Sequence, residues 1–239
     1  MFTKIIKFLR VIFSFNFFWV YNLLFFRLAP SIEHEKEISK LNFKTVIDVG
    51  ANNGQFATLI LKTHPNSKII CFEPQIGPFK NLKKIFIKNN IKLFRLACGS
   101  RNKSIMMNIS NQNDSSSILD IGKNQIHFFP ATYLKKKEII KVAKLKEVIN
   151  LKKQIKPILL KIDTQGYELE VLKGSELKYI KYILVECSFI KFYKNQPLFK
   201  DIDNYLKKKN FFLTKKYNGI KNSSNKLIQI DCIYVNSRL

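Results

Sequence analysis

The most apolar stretch of the chain comes first, in "KIIKFLRVIFSFNFFWVYNLLFFRL". Between Arg10 and Arg27 only Ser14, Asn16 and Asn22 are clearly polar. At a rise of about 1.5 Å per residue this run is slightly short for a bilayer-spanning helix. Lys4, Lys7 and Arg10 flank it and Trp19 and Tyr21 lie inside it. That pattern fits a helix lying on a membrane surface, and equally one capping the protein's own sheet. No small-x-small cleavage pattern follows, which argues against a secretory signal. After Pro30, "SIEHEKEISKLN" reads as a polar helix with Ser31 as its cap and acids in its first turn.

From Thr45 onward the period changes. Short β-type apolar runs alternate with helically spaced ones: "TVIDVG" a strand, "GQFATLILKTHP" a helix ended by its proline, "KIICFEP" a strand. The helix "GPFKNLKKIFIKNN" and the strand "IKLFRLACG" follow, then "KSIMMNIS" as a short extra strand before a Ser/Asn-rich loop. "EIIKVAKLKEVIN" begins as a strand and turns helical. "PILLKID", "YELEVLKGSELKYI" and "YILVECS" read as strand, helix, strand. A polar helix, "LFKDIDNYLKKKN", precedes "FFLTKKY" and "KLIQIDCIYVN", which only "NGIKNSSNK" separates. Alternating strands and helices predict an α/β, Rossmann-like fold with a mostly parallel, doubly wound sheet. The helix-free last connection predicts a C-terminal antiparallel hairpin at the sheet edge. Residues 1–30 therefore read as an N-terminal helix and 31–239 as one Rossmann-like domain.

Charge changes this picture less than its size suggests. The net charge is +25, from 42 basic and 17 acidic residues. Such an excess favours polyanionic partners. Here it is nearly all lysine, spread evenly among Ile, Asn and Phe, so compositional drift accounts for it and no specific nucleic-acid partner is expected. Cys71, Cys98, Cys187 and Cys232 each sit inside a strand-like run without a C-x-x-C pair. Buried reduced thiols suit a cytoplasmic location. His34, His64 and His127 lack ligand spacing, so no metal site is expected.

The candidate chemistry gathers at the end of the first strand. In open α/β sheets ligands bind beyond the carboxyl ends of the strands. Gly50 and Gly54 let the loop "DVGANNG" turn tightly near a ligand. A dinucleotide requires G-x-G-x-x-G, but Ala51 and Asn52 stand where the middle glycine would be. Glu73, 19 residues past Gly54, is placed to accept hydrogen bonds from ribose hydroxyls. Asp48 suits a ligand carrying a cationic amino group. Together these residues point to S-adenosylmethionine, with Gln55, Phe56 and Pro74 completing the predicted cofactor set.

Three blocks extend the reading: "VIDVGANNGQFA" with "FEPQ", "LLKIDTQGYELEVLKGSE" and "ILVECSFIKFYKNQPLFKDIDNYLKKKNFFL". On them the sequence resembles the FkbM family of S-adenosylmethionine-dependent methyltransferases. The resemblance implies a class I methyltransferase fold and O-methylation, often of sugar hydroxyls in surface glycans, glycolipids or related metabolites. Gln165 stands where the family more often has Glu. An amide can orient a hydroxyl but cannot take its proton.

Strand alternation puts Lys161 and Asp163 on one face. Asp163 is the leading candidate for base or acceptor orientation, with Lys161 as its partner and Glu186 facing the same cleft. Gln165, Glu168, Ser116 and His127 are candidates for binding the acceptor, expected to be a glycan or glycolipid. The N-terminal helix is expected to hold the enzyme peripherally at the inner, anionic membrane face. The rival readings are a nucleic-acid methyltransferase, an NAD-dependent oxidoreductase and a non-catalytic Rossmann-like binding module. The sequence carries no Asn/Asp-Pro-Pro-Tyr or Pro-Cys motif for the first and no central glycine for the second. Oligomeric state is not encoded legibly.

Overall fold

The computed structural model of the chain describes residues 11, 16–26, 28–87, 89 and 91–239. Lys4, Lys7, Arg10 and Arg27, which flank the predicted N-terminal helix, lie outside the described residues.

Strands β1 (Thr45–Val49), β2 (Lys68–Phe72), β3 (Ile91–Phe94), β4 (Ala97–Cys98) and β5 (Lys103–Ser110) come first. They are followed by β6 (Leu134–Ala143), β7 (Ile158–Ile162), β8 (Tyr182–Ser188), β9 (Phe211–Lys221) and β10 (Leu227–Asn236). The main sheet has the order β3-β2-β1-β7-β8-β10-β9. Its pairings are parallel except those of β10, which runs antiparallel to both neighbours. The predicted parallel sheet and closing hairpin are both present. β1 and β7 are buried along their whole length, as their uninterrupted apolar runs require when both faces are covered. One face packs Ile47, Leu160, Val185 and Cys232 into one core; the other packs Val46, Leu159, Leu184 and Ile233 into a second. All four cysteines are buried and free.

One predicted strand divides. "IKLFRLACG" gives β3 to the main sheet, and β4 to a second, three-stranded sheet of order β4-β6-β5. Arg95 and Leu96 form the break, which redirects the chain to cover the end of the main sheet. Within the Ser/Asn-rich loop, Lys123–Phe128 forms a short helix.

Helix α1 (Phe17–Phe26) starts with Asn16 Oδ1 accepting the Trp19 N–H at 3.0 Å. The "SIEHEKEISKLN" segment is two single turns rather than one helix: a 3-10 turn at Ile32–His34, then α2 (Glu35–Ile38). Ser31 makes no side-chain capping bond there. Helix α3 (Gln55–Thr63) stops two residues before Pro65, and α4 (Ile76–Ile85) follows β2. Trp19 is buried and donates its indole N–H to the Thr58 carbonyl on α3 at 3.0 Å. Among the described residues no helix is long and apolar enough to cross a membrane.

Candidate active site

β1 and β7 are paired so that Asp48 lies opposite Lys161. Side chains at paired positions leave the sheet on the same face. Lys161 Nζ thus sits 3.1 Å from Asp48 Oδ1 and 3.6 Å from Asp163 Oδ2, and donates to the Gly50 carbonyl at 3.1 Å. Burial opposes its charge, but Asp48 and then Asp163 hold the Lys161 ammonium above its ordinary range. The expected partner Asp163 is present, and Asp48 is closer. This changes the reading of Asp48. It is fully buried, is paired with Lys161, and is not among the residues that line the cavity described below.

The loop after β1 is shaped by its neighbours. Gly50 has φ +80°, and a Cβ there would lie 1.8 Å from the Asp163 carbonyl oxygen. Only glycine lets the ends of β1 and β7 approach so closely. At Gly54, φ is +97° and a Cβ would lie 2.5 Å from the Phe86 ring, so that glycine serves packing against the end of α4. Asn52 holds φ +49° and presents its backbone N–H to Glu73 Oε2 at 2.9 Å. Glu73 Oε1 accepts the Gln75 N–H at 2.8 Å. Burial pushes the Glu73 carboxyl up to about 7, although these two N–H groups favour its ionised form.

A cavity opens from this cradle. Of the residues predicted to bind cofactor, Gly50, Asn52, Glu73 and Pro74 line it, and Ser116, predicted for the acceptor, joins them from the second-sheet excursion. Leu96, Cys98, Met107 and Ile118 make an apolar wall, and Asp163, Gln165 and Tyr167 close the far end. Ala51, Gly54, Gln55 and Phe56, also predicted to bind cofactor, are not among the residues that line the cavity. Phe56 is buried, with its ring edge-on to His34 and 5.8 Å from Lys161 Nζ, so it supports the site from below.

A wider cleft adjoins the cavity, and Asp163 and Gln165 line both. Gln165, held at φ +54°, donates from Nε2 to Asp163 Oδ1 at 2.9 Å and to Glu186 Oε2 at 3.1 Å. Its Oε1 accepts the Tyr193 hydroxyl at 2.8 Å, and that hydroxyl also donates toward the Ser115 carbonyl at 3.0 Å. Asp163, Gln165 and Glu186 are therefore brought together. Burial first, then Asp163 and Asp231, push the Glu186 carboxyl well above the usual range.

Two predicted acceptor residues are elsewhere. His127 is exposed and lines neither space. Glu168 is buried and accepts the Thr164 N–H, the Thr164 hydroxyl and the Gly166 N–H at 3.0, 3.2 and 3.0 Å, which organises the loop after β7. Sequence reasoning missed Gln75, Asp114, Tyr167 and Tyr193. Only the position of Gln75, two residues past Glu73, carried a signal.

Sheet order and the Glu73 cradle at the strand ends are those of the class I methyltransferase fold. Residues 48–213 match the model of the methyltransferase FkbM domain, and the chain belongs to that family. The fold is similar to that of the methyltransferase FkbM from Methylobacillus flagellatus KT. That likeness has a TM-score of 0.51 and 18% identity, covering 82% of this chain and 44% of that one. It is also similar to TehB from Haemophilus influenzae, with a TM-score of 0.50 and 8% identity over 92% of this chain and 67% of that one. The chain thus spans less than half of the M. flagellatus protein. No curated protein matches the sequence.

The methyl donor of this family is S-adenosylmethionine, and the cavity fits it. Glu73 is a buried carboxyl with spare lone pairs for ribose hydroxyls. The apolar wall beside it, from Leu96, Cys98, Met107 and Ile118, suits a base. Gln75, on the same wall, keeps a buried Oε1 without a hydrogen-bond partner, an acceptor suited to an exocyclic amine.

Proposed function

We propose that the protein O-methylates a hydroxyl of a sugar in a surface glycan, glycolipid or related metabolite. The observation that carries this reading is the Asp163–Gln165–Glu186 set at the junction of cavity and cleft. When bound, the donor supplies an electrophilic methyl group on a sulfonium. An acceptor hydroxyl then has to be aligned and relieved of its proton. The Asp163 side chain is 40% exposed to the cleft, with Oδ1 bonded to Gln165 and Oδ2 near Lys161. It is thereby fixed in one orientation, able to align the hydroxyl and receive its proton. Gln165 and Glu186 add donors and acceptors for neighbouring hydroxyls. Phe128 and Phe129 on the cleft wall offer apolar surface for the faces of a sugar ring.

The test is transfer of labelled methyl from S-adenosylmethionine to glycan and glycolipid extracts, with linkage read by mass spectrometry. Methyl ethers on sugar carbons support the reading; label found only in nucleic acid or protein rejects it. Asp163→Ala is expected to lower kcat by roughly 10²-fold or more while cofactor affinity stays within a few-fold.

A further inference from the structure

Helix α1, in the sequence FFWVYNLLFF, is apolar but for Tyr21's hydroxyl and the buried Asn22. Such a helix normally belongs inside a protein. Here one side is inside: Trp19 is buried against α3, and α1 also packs beside α4. The other side carries Phe17, Tyr21, Leu24 and Phe25, exposed by 84, 41, 61 and 71%. The spacing i, i+4, i+7, i+8 makes them one stripe, too continuous to be scattered surface apolars.

Charge decides what covers the stripe. No acidic residue occurs before Glu33, and none lies between Glu73 and Asp114. These two acid-free segments meet where α1 lies against α4. On α4, Lys80, Lys83 and Lys84 are exposed, with Ile76 at its start and Ile87 just beyond its end also exposed. Glu35 is already paired with Lys62 at 2.9 Å, and that ammonium sits 4.2 Å over the Trp19 ring. A second copy docked here would set one lysine face against another. An anionic bilayer would accept both the rings and the charge.

We propose that α1 and the adjoining lysine face of α4 form a peripheral docking surface for an anionic lipid bilayer. Phe17, Tyr21, Leu24 and Phe25 sit at headgroup level, and Lys80, Lys83 and Lys84 face the acidic headgroups. Because α4 begins three residues after Glu73, docking brings the cofactor cavity close to the lipid surface.

The test is co-sedimentation of the full chain with vesicles rich in phosphatidylglycerol and with vesicles of pure phosphatidylcholine. Binding to the first should exceed binding to the second by roughly ten-fold and weaken with added salt. The double variants Phe17→Ser/Phe25→Ser and Lys80→Glu/Lys84→Glu should each lose roughly ten-fold in binding, with circular dichroism and S-adenosylmethionine binding unchanged. Equal binding to both lipids, or none, overturns the proposal whatever the variants do. So does a dimer seen by light scattering that Phe17→Ser/Phe25→Ser dissolves without changing vesicle binding.

Discussion

At the scale of single residues, the site rests on buried charges that have been given specific neighbours. Lys161 is the clearest case. Removing it as Lys161→Met leaves Asp48 fully buried and unpaired, a loss of about 3–5 kcal/mol by the usual behaviour of broken buried pairs. A chemical-denaturation midpoint unchanged from wild type would show that the Asp48–Lys161 pair is not structural. Glu73→Gln is expected to keep the fold, since an amide oxygen can still accept from Asn52 or Gln75. It should weaken S-adenosylmethionine binding by roughly ten-fold or more, through loss of a charged acceptor. Calorimetry decides it. Glu73 was legible in the sequence because its distance from the glycine loop is fixed by one helix and one strand. The surroundings of His127 and Glu168 were not legible, for the opposite reason. Each follows an irregular segment whose path the hydrophobic pattern does not encode, so nothing indicated that one points to solvent and the other into its own loop.

At the scale of elements, strands were legible wherever both sheet faces are buried, because continuous apolar runs leave few alternatives. β3 and β4 show the limit: one apolar run serves two sheets, and the break at Arg95–Leu96 has no glycine or proline to mark it. The glycines of the first loop were visible, but their reasons were not. Both answer to tertiary neighbours: Gly50 to the end of β7 and Gly54 to Phe86. Gly50→Ala therefore forces a left-handed residue and a backbone collision together. It is expected to destabilise the domain by about 3 kcal/mol or more and to abolish cofactor binding, measured by thermal melting and calorimetry. Trp19→Ala tests the capping side of α1. Loss of a buried ring and its bond to Thr58 should lower stability by about 3–5 kcal/mol. A melting temperature equal to that of wild type would mean that α1 contributes nothing to the fold.

At the scale of the whole molecule, the carboxyl ends of the strands gather acids within a strongly basic chain. β8 and β10 are registered so that Glu186 lies opposite Asp231, and Asp231 lies opposite Tyr217 on β9. Asp231 accepts from Asn218 at 2.7 Å and has the His34 ring 3.8 Å away. Burial raises the carboxyls of both Glu73 and Asp231 to about 7, and that of Glu186 well above its ordinary range. All three shifts have one sign: the folded state holds protons that the unfolded chain has released. Stability then falls as pH rises from the unfolded values, about 4, through the folded values near 7. Glu37, Glu147 and Glu170 shift the other way, each beside a surface lysine, and solvent screening of those lysines makes them minor. The ligand-free protein should thus melt at a lower temperature at about pH 7.5 than at about pH 5.5, at fixed ionic strength. Asp231→Asn should flatten that slope without touching the cofactor cavity. Added S-adenosylmethionine should restore stability most at the alkaline end, because ribose hydroxyls donate to an ionised Glu73 and binding expels its proton. A melting temperature that rises across this interval would show that the buried acids are ionised at little expense, and that Lys161 and the backbone N–H groups already satisfy the cluster.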